Sequence, residues 1–157
     1  MPDDVRRELP WSWHRSPGWR GQLERIRRWH DRLLSATASE DAEDYLYAFF
    51  QNCYHLRYWL EPAAHEKAHL DSFFKDNLEM RLCRDLGNMT KHFELNRKPA
   101  TGVEPAIARE YVGPGRGWFQ DDSTLVIVSL GRRIDARDLA SKCLNLWEKF
   151  LQTHDAT

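Results

Sequence analysis

The sequence predicts a mainly α-helical protein: a four-helix up-down bundle with a small β-hairpin inserted before the last helix. Three observations predict it. Apolar residues recur at helical spacing in four segments, the run TLVIVSL over 124–130 reads as a strand, and Pro and Gly punctuate the intervals. With 157 residues, 41% hydrophobic and 30% charged, the chain holds enough apolar material for one domain core. An N-terminal arm is expected over 1–18 and a single helical domain over 19–154, with the hairpin insertion at about 106–130.

The first helix is expected over about 19–36, where Trp19, Leu23, Ile26 and Leu33 form its stripe. The second, about 40–60, has Ser39 as N-cap, acids in its first turn, and Pro62 just past its end. Its core stripe is Phe49, Cys53, Leu56 and Leu60; Ala48, Asn52, His55 and Trp59 line a second, polar-aromatic face. That second face predicts contact with another helix or a second subunit, or a buried His55 bonded to its neighbours. The third helix is expected as one piece over about 72–94, with Leu78, Leu82, Leu86, Met89 and Phe93 as its stripe. Pro99 and Gly102 then break the helix. A strand over 106–112, a Gly-Pro-Gly turn at 113–115 and the 124–130 strand make the hairpin, closed by Gly131. The last helix is expected over about 136–152, with Asp135 as cap and Ile134 and Leu139 as a hydrophobic staple. Its stripe is Leu139, Cys143, Leu146 and Phe150.

Charge narrows the function classes. The formal net charge is -1, which excludes a globally basic nucleic-acid cage and leaves local sites. Residues 1–32 carry a net +3, 38–80 a net -6, and 81–98 a net +3, so the basic candidates are the N-terminal helix and the segment around Arg84. No apolar run approaches the roughly 20 residues of a membrane span, and MPDDVRRELPWSWHR has no apolar core of a signal peptide. Cys53, Cys83 and Cys143 are an odd, widely spaced set, read as reduced core residues of a cytoplasmic protein. Trp11, Trp13 and Trp19 in the Pro/Arg-rich arm are expected to pack on the bundle, with docking onto a partner as the alternative.

The third helix carries the chemistry. At 100° per residue, Arg81, Arg84, Asp85, Asn88, Lys91 and His92 fall within an arc of roughly 120° beside the core stripe. Arg84, Asn88 and His92 climb one side at i, i+4, i+8. Arg clamps a phosphate oxygen anion, and His, titrating near neutrality, transfers protons, so such a face suits a phosphodiester. The bland alternative is a solvated helix face with an Arg81–Asp85 pair.

The segments YAFFQNCYHLRYWL (47–60) and LCRDLGNMTKHF (82–93) resemble bacterial HEPN-type helical proteins. That resemblance implies a four- or five-helix up-down bundle, a homodimer, and metal-independent endoribonuclease activity or RNA binding in stress or phage defence. An antitoxin or another defence-system protein is the implied protein partner. Carried over, Arg84 stabilises the phosphate, Asp85 is its polar neighbour, and His92 is the acid/base for attack by the RNA 2′-hydroxyl. From the helical faces, Asn88, Lys91 and Arg81 of the third helix and Asn52 and His55 of the second are the candidate binding residues, with no metal and no cofactor. Seven residues separate Arg84 from His92, more than the family spacing, and relatives with altered motifs serve as non-catalytic interaction modules. That module is the alternative reading.

A third reading comes from His65-Glu66-Lys67-Ala68-His69, which matches the HExxH pattern of zinc proteases. It follows Pro62 in the connection between two helices, Lys75 stands where a third His belongs, and Glu79 is a poor third ligand. An exposed helical turn or loop is the expectation there. No G-x-S-x-G and no paired Glu-x-x-His motifs support other enzyme classes.

Overall fold

The computed structural model describes residues 18–61, 66–89 and 99–154. Trp11, Trp13, His65, Lys91, His92 and Phe93 lie outside the described residues, as does the expected arm apart from Gly18. The described residues form five helices and one three-stranded antiparallel sheet. They are α1 (Gly18–Ser35), α2 (Ser39–Leu60), α3 (Lys67–Asp76), α4 (Leu78–Met89), β1 (Ala106–Tyr111), β2 (Ser123–Ser129), β3 (Arg132–Asp135) and α5 (Ala136–His154).

Helix α2 is the axis of the core because apolar side chains cover it from end to end. Ala42, Leu46, Phe49, Phe50, Cys53, Leu56 and Leu60 are all fully buried. Helix α1 lays Leu23, Ile26 and Leu33 against it. From the other side, α5 inserts Trp147, whose indole N–H donates to the Cys53 carbonyl at 2.9 Å. A fully buried Trp needs such a partner for its one polar atom. Phe73, Phe74 and Phe150 surround the Trp147 ring. Where α4 crosses α2, Gly87 permits a backbone approach: a Cβ there would stand 2.9 Å from the Tyr54 Cβ and 3.0 Å from the Phe50 carbonyl oxygen.

Three expectations are corrected. The single helix over 72–94 is two helices, because Asn77 is extended (φ −111, ψ 120). Its side-chain amide donates to the Phe73 carbonyl at 2.8 Å, and its own carbonyl accepts the Met80 and Arg81 N–H groups that open α4. This local bond competes with the helical ladder and wins. Ser39 does not cap α2: Ala38 holds the cap position without a side-chain bond, and Ser39 Oγ donates to Asp121 at 2.7 Å. The insertion is a three-stranded meander rather than a hairpin, since 132–135 adds a strand.

Ile107, Ile127 and Ile134 stand opposite one another across the three strands. Leu130 (φ 52) and Gly131 (φ 73) make the two-residue turn between β2 and β3, and positive φ at both positions matches the right-handed strand twist. The long β1–β2 loop docks on the α1–α2 link through the Gln120 N–H to the Thr37 carbonyl, 2.9 Å. No residue separates β3 from α5. Asp135 caps the helix as expected, accepting from the N–H groups of Arg137 (2.9 Å) and Asp138 (3.1 Å), while the Arg137 guanidinium binds its other oxygen. Burial pushes the Asp135 carboxyl up, but these donors outweigh it and hold it below the ordinary aspartate range. Arg137 in turn lies 3.7 Å over the Trp118 ring.

Candidate functional site

Of the expected polar face of the third helix, Arg81, Arg84, Asp85 and Asn88 fall on α4, and the fold gives them different roles. Asp85 is 2% exposed. One of its oxygens accepts from the Ala100 N–H at 2.7 Å, and the other from the Thr101 N–H at 3.2 Å and the Thr101 hydroxyl at 3.0 Å. The carboxylate thus fastens the chain at 100–101 to the middle of α4. The Arg81–Asp85 pair does not form. Arg81 instead donates to the Lys75 carbonyl, at the end of α3 where helix carbonyls lack intrahelical donors. Both residues hold the α3–α4 corner and its neighbouring loop.

Arg84 and Asn88, one turn apart, remain half-buried on the α4 surface. None of the ion pairs among the described residues involves Arg84. Its charge reaches the Tyr54 phenol of α2. Tyr54 and Tyr58 are one helical turn apart, with hydroxyl oxygens 3.1 Å from each other and rings edge to face at 5.7 Å. The Tyr54 ring is buried and Tyr58 is 53% exposed, so the pair runs from the core to the surface. Burial, then the bond to Tyr58, pushes the Tyr54 hydroxyl up to about 12 despite Arg57 and Arg84 nearby. It is therefore a neutral hydrogen-bonding group at physiological pH and not a base.

His55 lies with its ring 6.0 Å from both Tyr54 and Tyr58. Arg57 pairs with Asp71 at 2.7 Å and Glu61 at 3.4 Å, over the Phe74 ring. Arg84 of α4 therefore lies near the Tyr54–Tyr58 pair of α2, with the His55 ring beside both phenols, while the Arg57 charge is met by Asp71 and Glu61. Lys91 and His92, expected on the same side, lie outside the described residues. The tyrosine pair was not among the candidates from sequence, although its i, i+4 spacing was the available signal.

Asn52 is placed elsewhere. Its side-chain and backbone oxygens both accept from the buried Gln22 amide of α1, at 3.1 and 3.0 Å, and its own amide donates to Ala48. It ties α1 to α2. The three cysteines are free and fully buried, with the Cys143 thiol donating to the Glu79 carbonyl at 3.4 Å. Burial pushes the Cys83 and Cys143 thiols well above their ordinary range.

No family model, curated protein or solved structure matches this chain. Among the described residues no group of three or more His, Cys, Asp or Glu side chains is arranged to hold a metal ion, and no helix is long and apolar enough to cross a membrane.

Proposed function

We propose that the chain is a HEPN-like RNA-handling module that holds an RNA strand on the α2–α4 surface. In this reading α1, α2, α4 and α5 are the four members of an up-down bundle, and α3 braces one end. The observation that carries the reading is the exposed Tyr58 ring beside Tyr54, with the Arg84 guanidinium acting on the same phenol. A base stacks on Tyr58, an interaction of about 1–3 kcal/mol that tolerates any base. Arg84, half-buried beside α2, binds the adjoining phosphate more strongly than a fully solvated cation does.

Cleavage follows the resemblance, without metal: His92 takes the proton of the 2′-hydroxyl, the 2′-oxygen bonds to the adjacent phosphorus as the P–O5′ bond breaks, Arg84 stabilises the charged phosphate, and the leaving 5′-oxygen takes a proton from water, giving a 2′,3′-cyclic phosphate and a 5′-hydroxyl. Asp85 then acts as a positioning residue, because its oxygens hold Ala100 and Thr101. The protein works as a cytoplasmic homodimer in stress or phage defence, with two such surfaces facing one cleft.

The test is RNA binding and cutting in EDTA. Arg84→Ala should weaken binding and lower the salt slope by about one. Tyr58→Ala should weaken binding with an unchanged slope, and His92→Ala should abolish cutting while binding persists. Binding by the wild type that neither Arg84→Ala nor Tyr58→Ala changes would place RNA elsewhere. The second reading, a non-catalytic interaction module, draws on the exposure of both Tyr58 and Trp59, since exposed aromatic residues are common interface anchors. A dimer that dissociates in Tyr58→Ala, in a protein that binds no RNA, would favour it.

A further inference from the structure

The arginines of α1 are sorted by face. At 100° per residue, Arg25, Arg28 and Arg32 fall within roughly 60° of one another, with Trp29 at the edge of the row and no acid inside it. Arg27 belongs to another side of the helix and pairs with Glu148 of α5 at 3.2 Å. None of the ion pairs among the described residues involves Arg25, Arg28 or Arg32, and the acids Asp41 and Asp44 early in α2 form none with them. Neutral groups hold two of the three instead. Arg25 donates to the Gln22 side-chain oxygen at 2.8 Å, and the buried Gln22 amide is anchored in turn on Asn52. Arg32 lies 4.7 Å over the Trp29 ring, which packs on Tyr45 at 6.0 Å. These supports fix the guanidinium groups without cancelling their charge. Like charges one helical turn apart repel, and a bound anion relieves that repulsion.

We infer that Arg25, Arg28 and Arg32 form a phosphate track for the RNA backbone, a second contact beyond the α2–α4 surface that rests on the RNA reading above. At 1.5 Å per residue the row spans about 10 Å, the length over which one strand of a duplex presents about three phosphates. Guanidinium suits this partner because its paired N–H groups match two phosphate oxygens at once. The contacts of Gln22 with Asn52 and of Trp29 with Tyr45 show α1 and α2 running antiparallel. A strand leaving Tyr58 along α2 therefore reaches Arg25 first and Arg32 last. A membrane surface fits this face less well, since no exposed large apolar side chain stands among the arginines.

The test is the salt dependence of binding to a long single-stranded RNA of mixed sequence, with the full chain. Replacing Arg25, Arg28 and Arg32 together by Gln should lower the slope by about two, at roughly 0.7 per phosphate contact, and weaken binding about tenfold or more. The triple Lys variant keeps the charges and should keep the slope, and Arg27→Gln should change neither quantity. Should the triple Gln variant lose its helical circular dichroism, the three single Gln variants take its place, each lowering the slope by about 0.7. A slope unchanged in the Gln variants while Arg84→Ala still lowers it would overturn the track and leave the α2–α4 reading standing. A slope lowered in the Gln variants and unmoved by Arg84→Ala and Tyr58→Ala would support the track and overturn that reading. No RNA binding by the wild type would overturn both, and binding of phosphatidylserine vesicles that the triple Gln variant loses would then assign the face to a membrane.

Discussion

Replacing Asp85 with Ala removes the acceptor for three hydrogen bonds at once, from the Ala100 N–H, the Thr101 N–H and the Thr101 hydroxyl. Each bond to a charged acceptor is worth about 1.5–3 kcal/mol. The three share one carboxylate, and the freed donors at 100 and 101 are half-buried and regain water, so their values do not add. A loss of about 3–4 kcal/mol is expected. For a chain of this size each kcal/mol moves the melting temperature by about 2–4 °C, which gives a drop of about 6–16 °C. Asp85→Asn keeps one acceptor oxygen and should lose roughly half as much. Circular dichroism reads the melting, and amide exchange at Ala100 and Thr101 reads the site directly. Wild-type melting with unchanged exchange at those two residues would refute the reasoning.

Three further outcomes are expected. Gly87→Ala should destabilise by about 1–2 kcal/mol in urea unfolding, because the overpacking of Tyr54 and Phe50 exceeds the helix-propensity gain of roughly 1 kcal/mol. Leu130→Asn should stabilise by about 0.5–1 kcal/mol, since Asn tolerates the positive φ of that exposed turn position and Leu does not; a lower urea midpoint would contradict this. His30, bonded to Ser141 at 2.8 Å, is held below 6.5 chiefly by burial, against the raising effect of Asp31 and Glu148. Its contribution to stability is therefore present above pH 6.5 and is lost as pH falls through the lower folded value, so His30→Gln should flatten the pH dependence of melting in that window.

The sequence made α1, α2 and α5 legible to within one or two residues, because an apolar stripe and a clear terminus coincide in each. Asp135 before α5 and the acids opening α2 are local signals with local causes. The break at Asn77 was hidden because the apolar spacing runs through it: Phe74, Leu78, Leu82 and Leu86 continue a four-residue rhythm across the corner. Periodicity does not register a side chain bonding back to a carbonyl four residues earlier. Strand β3 was hidden for a different reason, since four residues with one apolar member carry no alternation and its place is set by pairing with β2. At the site, helical geometry correctly placed Arg84, Asn88 and Asp85 on neighbouring positions of one helix. Which of them is tied up within the fold depends on Thr101, sixteen residues away, and so on tertiary contact alone.

The direct junction of β3 and α5 makes the two turns of the meander unequal in their tolerance of length changes. An inserted residue between Leu130 and Gly131 would shift the pleat by half a period, turning Ile134 outward and Arg133 toward the core. With no linker after Asp135, the error passes into α5 as a rotation of about 100°, displacing Trp147 from the Cys53 carbonyl. An insertion at Gly115 or Arg116, in the exposed loop before β2, leaves the β2–β3 register intact. The short turn thus sets the phase of the last helix, and the long loop is the place where the chain accommodates extra residues.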